Sequence, residues 1–317
     1  MSTQTENYDV LIAGQGAAAF AAGLYAARYQ MKSIIIGETF GGETATGGLI
    51  ENYPGYADID GFDLMMKFRE QVASYNVPIL DDKVTAVKKE SNDFRIETES
   101  GENHLASSVI LGIGRERRKL GLEHEDEWTG KGVSFCSTCD APLHRDNVVA
   151  IVGGGNAAIE GAVLLSKYAS TVYLIYRKGE ITRPEPVNLK LLNESKNIIQ
   201  LLNTNVTSLL GDDGLSQISI DKPHKNTTKL DVDGLFIEIG ADPRIEIPQQ
   251  LKINLNKKNE VVVNNEMETN IEGVLAAGDL TDASGDLKQT VTAAAQGAIA
   301  AKSAYSYVSN KKVELKS

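Results

Sequence analysis

GQGAAAFAAGLYAARYQMKSIIIGE, residues 14–38, and GGGNAAIEGAVLLSKYASTVYLIYR, residues 153–177, are the two stretches that decide the fold. A shift of 139 residues lays one over the other, so that Gly14 falls on Gly153, Gly16 on Gly155, Ala19 on Ala158 and Glu38 on Arg177. A β-rich apolar run leads into each stretch, YDVLIAG (8–14) or NVVAIVGGG (147–155), and another closes it, KSIIIG (32–37) or STVYLIYR (170–177). Each reads as strand, tight glycine turn, helix and second strand.

Outside the pair, further β-rich runs lie at SSVILGIG (107–114), DGLFIEIG (233–240) and GVLAAGD (273–279), with helical periodicity between several of them. Continuous apolar strands alternating with helices predict parallel sheets covered on both faces, hence an α/β class. The first glycine of each turn allows the reversal, the second lets the backbone approach a pyrophosphate, and alanine in the third place still permits close helix–strand packing. Gly14, Gly16, Ala17, Ala18 and Ala19 are the candidate phosphate contacts of the first unit; Gly153, Gly155, Asn156, Ala157 and Ala158 are those of the second. The free N–H groups and positive dipole end of the helix that follows favour the anion.

The ends of the second strands differ in charge. Glu38 offers acceptors to ribose hydroxyls, which suits the adenosine of FAD. Arg177 and Lys178, with Arg183 downstream, suit a 2′-phosphate and point to NADPH. The competing reading of Arg177 and Lys178 is a solvated strand end, and Glu180 nearby works against a phosphate, so NADH stays open as the donor.

The chain has 317 residues, 42% hydrophobic and 24% charged, enough for about two domains with cores of their own. A formal net charge of -11 repels phosphate backbones and argues against a nucleic-acid partner. The opening MSTQTENYD lacks the basic and apolar regions of a signal peptide, and no apolar run reaches the roughly 18 residues of a membrane span. A cytoplasmic protein with no membrane partner is the expectation.

SFCSTCDAPL, 134–143, holds both cysteines, Cys136 and Cys139. Structural zinc needs four ligands, and His104, His124, His144 and His224 include no closely spaced pair, which leaves only His124 and His144 folding back beside the thiolates; no metal is expected. A purely structural disulfide is also disfavoured, because closing so short a loop removes little entropy from the unfolded chain. Cys-x-x-Cys suits thiol–disulfide exchange. Asp140 reads either as a first-turn acid or as the group that hands a proton to a leaving thiolate.

Taken together, GQGAAA (14–19), GGETATGGLIENYPG (41–55), CSTCDAP (136–142), GGGNAAIE (153–160), GVLAAGDL (273–280) and KQTVTAAAQG (288–297) resemble the low-molecular-weight thioredoxin reductase family, in its order and spacing across nearly the whole chain. The resemblance implies a homodimeric flavoprotein with two Rossmann-like nucleotide-binding domains. An NADPH domain, 116–248, would be inserted into a discontinuous FAD domain, 1–115 and 249–317. RERRKLGL (115–122) and GADPRIEIP (240–248) look like the linkers, side by side as in a hinge.

Carried over by position, Cys139 is the flavin-facing thiol, Cys136 the thiol that exchanges with thioredoxin, and Asp140 the acid that protonates the nascent thiolate. Gly37, Gly41, Gly42, Glu43, Asn52, Val84, Gly114, Gly278, Asp279, Lys288, Gln289 and Thr290 would surround FAD. Independently, Lys288, Gln289 and Thr290 open an Ala-rich helical pattern whose dipole suits an anionic reduced flavin.

Several positions depart from the family pattern. Tyr176, Arg177 and Lys178 stand for its His-Arg-Arg box, with Thr182 where a further Arg is usual and Arg183 one step late. Glu43 stands for Gln, Ile113 for Thr and Ala141 for Gly. Two alternatives remain: a flavin-dependent dithiol oxidase of the same fold, and a nucleotide-binding redox sensor that turns nothing over.

Overall fold

The structure, a computed structural model, describes residues 7–182 and 184–314. Two compact units emerge, one of residues 1–116 and 243–317, the other of 117–242.

In the first unit, strands β1 (Asn7–Ala13), β2 (Ser33–Gly37) and β3 (Ile79–Asp81) pair in parallel. Beyond β1 on its other side lies β6 (Asn103–Leu111), also parallel. The outer edge of β6 is shared: β5 (Asp93–Thr98) pairs with its first half antiparallel, and Val274–Ala276 with its second half in parallel. β4 (Val84–Glu90) completes the sheet beside β5.

Alternation along β1 splits its side chains between the two faces, since successive strand residues point to opposite sides. Val10 and Ile12 join the core formed with helix α1 (Ala17–Arg28) and the long helix α8 (Thr290–Glu314), while Leu11 and Ala13 join the core on the other face. Full burial of Val10, Leu11 or Ile12 contributes roughly 1.5–3 kcal/mol each. The alanines of α1 and α8 allow close approach: a side chain at Gly297 would meet the carbonyl oxygen of Ala18 at 2.0 Å.

The second unit is built on a five-stranded parallel sheet in the order β7 (Val133–Ser134), β11 (Gly234–Ile237), β8 (Val148–Val152), β9 (Thr171–Tyr176), β10 (Ile198–Leu202). Helix α5 (Asn156–Leu165) covers one face through Ile159, Ala162 and Leu165, packed on Val149, Ile151 and Leu174. A three-stranded antiparallel sheet, Val206–Leu210, Gln217–His224 and Thr227–Asp231, contributes Leu209, Ile218 and Leu230 to the core on the opposite face. The α/β class read from the sequence is the class observed, and β1–α1–β2 and β8–α5–β9 are the two halves of the internal repeat.

Candidate nucleotide and redox sites

Both glycine turns have the backbone that their sequences require. Gly14 lies at φ +116° with a built Cβ only 2.2 Å from the carbonyl oxygen of Gly112, and Gly153 at φ +149° with the same distance to that of Glu238. Side chains are barred at both by conformation and by contact. Gly16 and Gly155, by contrast, face open space and cap their helices without a side-chain hydrogen bond. Free helix N–H groups above an open glycine make a cradle that fits a pyrophosphate. Ala18 and Ala19 are buried against the core, as is Ala158, while Ala157 is exposed.

Around the first turn the structure adds residues that the sequence did not single out. The Gln15 side chain is buried, and its Nε2 donates to Gly37 O (2.9 Å), Leu80 O (3.1 Å) and Asp81 Oδ1 (2.7 Å). One amide thus ties the turn to the ends of β2 and β3. Glu38, just beyond β2, is held by Arg244 through Nη1 and by Lys83 at 3.7 Å. Val84 packs its side chain into the core.

A second group of predicted residues meets at the start of α8. Asn52 Nδ2 donates to Gln289 Oε1 (3.1 Å), and the Thr44 and Thr290 hydroxyls lie 3.0 Å apart. Thr44 carried no signal in the sequence beyond its place in a matched motif. Gly114, at φ +65°, faces open space, whereas a Cβ at Gly42, at φ +55°, would lie 3.5 Å from the Gly16 Cα, and Gly41 precedes the short helix Gly42–Ala45 at φ +70°. The Gly278 N–H donates to the buried Gln296 Oε1 (2.7 Å), which orients the turn carrying Asp279. Burial raises the carboxyl pKa of Asp279; Arg115 and Lys288 act to lower it, and Glu43 to raise it. Ile113 packs on the apolar core.

Lys288 points to a carboxylate that the sequence reading passed over. Its Nζ lies 3.2 Å from Glu260 Oε1 and also donates to the Thr281 carbonyl. Burial works against the charge of Glu260, yet hydrogen bonds from Asn256 and Lys288 and the charges of Lys288 and Arg115 together hold its carboxyl below the ordinary value.

In the second unit, Asn156 at the first turn of α5 accepts the backbone N–H of Glu185 at 2.7 Å, joining the turn to helix Pro186–Glu194. Arg177 and Lys178 are exposed at the end of β9, and Arg183 lies outside the described residues. Tyr176 is buried with its ring over the middle glycine: a Cβ at Gly154 would lie 2.3 Å from Cε2.

The cysteines form a disulfide, with Cα atoms 5.4 Å apart. Cys136 caps the short helix Ser137–Asp140, and its Sγ accepts the N–H of Cys139 at 3.1 Å. Exposure favours Cys139 as the reachable sulfur, but the hydrogen bond stabilises negative charge on Cys136. The buried Ser137 donates to Glu238 Oε1 at 3.0 Å, anchoring the motif beside the strand end that packs on Gly153. Ala141 is fully buried in the core with φ -52° and ψ -41°, so a methyl group both fits and packs where the family pattern has Gly.

The profile of the pyridine nucleotide-disulphide oxidoreductase family matches residues 8–297. A thioredoxin reductase of Mycolicibacterium smegmatis is 37% identical over 304 residues, spanning 95% of this chain and 96% of its own length. The crystal structure of Lactococcus lactis thioredoxin reductase superposes with a TM-score of 0.88 at 30% identity, covering 96% of this chain and 99% of that one. That of the T. acidophilum thioredoxin reductase gives 0.85 at 33% identity, with 95% and 98% covered.

Proposed function

The chain belongs to the pyridine nucleotide-disulphide oxidoreductases, with thioredoxin reductases as its relatives, and from this premise we propose that it is an FAD-dependent thioredoxin-disulfide reductase driven by NADPH. The observation that carries the reading is the Cys136–Cys139 disulfide on a helix start, with the Cys139 N–H on the Cys136 sulfur and Asp140 next in line.

Bound flavin supplies the relay between a hydride donor and a disulfide. The first unit holds FAD: the N–H groups beyond Gly16 receive the pyrophosphate, Glu38 the ribose, and Asn52, Asp279, Gln289 and Thr290 the flavin end. The second unit holds the pyridine nucleotide at Gly153–Asn156, with Arg177 and Lys178 on a 2′-phosphate.

Two electrons and two protons open the Cys136–Cys139 bond to a dithiol. Cys136 then attacks the disulfide of thioredoxin as a thiolate, forming a mixed disulfide and releasing one partner thiolate, which takes a proton. Cys139 attacks the Cys136 sulfur, the mixed bond breaks, the second partner thiol leaves and the internal disulfide is restored. The carboxyl of Asp140 supplies and recovers the proton at the leaving sulfur. Cys139 faces the flavin in this scheme, and the enzyme works as a cytoplasmic homodimer. Among the described residues no helix is long and apolar enough to cross a membrane.

Purified protein is expected to be yellow. Cys136→Ser or Cys139→Ser abolishes reduction of oxidised thioredoxin while NADPH still bleaches the flavin. Full thioredoxin turnover by the Cys139 variant overturns the scheme, and dithiol turnover with oxygen and without NADPH converts the reading to an oxidase.

A further inference from the structure

Glu260 is 4% exposed, and both of its carboxylate oxygens are engaged. Oε1 accepts from Arg115 Nη2 at 2.6 Å and lies 3.2 Å from Lys288 Nζ; Oε2 accepts from Asn256 Nδ2 at 2.8 Å. The same two cations grip one turn by its backbone. Arg115 Nε donates to the carbonyl of Asp279 at 2.9 Å, and Lys288 Nζ to that of Thr281. The segment that carries Glu260 is bonded to this turn as well, through Val261 N–H to Leu280 O at 3.0 Å.

A single carboxylate thus balances two half-buried cations beneath the segment that presents Asp279, while Lys288 immediately precedes Gln289 and Thr290 at the start of α8. All of these groups belong to the first unit. Charges removed from bulk water interact strongly, and burying two cations with no counter-ion would be costly. Their neutralisation also decides the electrostatic potential that this corner of the unit presents. A reduced flavin carries more negative charge than an oxidised one, so uncompensated positive charge nearby favours reduction.

We propose that Glu260 is a positioning residue that sets the flavin's reduction potential: by neutralising Arg115 and Lys288 it keeps the potential lower than the two cations alone would make it. The inference rests on the flavin reading of the first unit. Its signature is a sign. Removing the charge of Glu260 raises the potential, removing the charge of Lys288 lowers it, and removing both restores it, whereas a residue that only braces the turn would shift every variant the same way.

The test is redox titration of the purified flavoprotein, followed at the flavin absorption band against a reference dye. Glu260→Gln is expected to raise the reduced-to-oxidised ratio at a fixed potential about tenfold, equivalent to about 30 mV for a two-electron couple. Lys288→Met should move it the other way, and the double variant should return close to the starting value. An unchanged potential in Glu260→Gln, or shifts of one sign in all three, overturns the proposal. Should Glu260→Gln fail to retain flavin, the difference between Lys288→Met and the double variant measures the same effect. A starting protein without flavin refutes instead the reading on which the inference rests.

Discussion

The two glycine turns share a backbone and differ in what surrounds the end of the second strand. In the first unit Glu38 is engaged by Arg244 and Lys83, and Gln15 locks the turn to the ends of β2 and β3. In the second, Arg177 and Lys178 stand in solvent and Tyr176 lies over the middle glycine. The difference teaches that a duplicated strand–turn–helix supplies only the phosphate cradle. On the function proposed above, nucleotide identity would be added at the strand end, where one copy holds its carboxylate in ion pairs and the other leaves its two cations in solvent.

The sharpest way to break the comparison is to close one turn at a time. Gly14→Ala puts a methyl group on the Gly112 carbonyl and should cost about 2 kcal/mol or more in stability from backbone conformation alone. The variant is expected to lose flavin, seen as loss of the visible absorption. Gly153→Ala should keep the flavin and lose its reduction by pyridine nucleotide. A reversed pattern would exchange the roles assigned to the two units.

A smaller effect is expected at the charged strand end. Arg177→Ala would remove the charge-assisted hydrogen bond proposed to the 2′-phosphate, of a kind worth about 1.5–3 kcal/mol. It should raise KM for NADPH by about tenfold or more and leave that for NADH nearly unchanged, as steady-state rates will report. Equal changes for the two donors would remove the phosphate assignment and leave Arg177 a solvated strand end.

The smallest effect is in the response to pH, and it too separates the units. In the second unit burial lowers the pKa of His144 below its ordinary 6.5, against the opposing charges of Asp140 and Asp233. Its neutral form is the stable one, so stability is lost as pH falls below about 6.5. In the first unit Glu260 is held below its ordinary 4.5, so its contribution persists above that value and is lost as pH falls through the lowered pKa. Thermal unfolding followed from pH 7 downward is expected to show a small loss of stability setting in near pH 6.5 that His144→Gln removes, while Glu260→Gln flattens only the part below about pH 4.5. A His144→Gln profile parallel to the starting one would refute the first half of this statement.

Much of the scaffold could be read directly. Positive φ at Gly14 and Gly153, the alternation that buries Val10 and Ile12 on one face, and the spacing of Cys136 and Cys139 are local properties, so residue type and interval are enough to state them. Asn52 and Gln289, which the resemblance alone sets near each other, lie within hydrogen-bond distance at 3.1 Å. Ala141 was a departure without a reason until its burial supplied one.

What stayed illegible is the choice of partners for charge. Arg115 and Glu260 are 145 residues apart, and Glu38 and Arg244 206, with no motif linking either pair. An ion pair leaves no periodicity in the chain, because its energy depends on distance and burial, which exist only once strands and helices are packed. The sequence by itself therefore determined the α/β scaffold, the two glycine turns and the pairing of the two cysteines. Tertiary structure alone decided that Glu260 balances two cations beneath Asp279 and that Arg244 holds Glu38, because each is a matter of proximity.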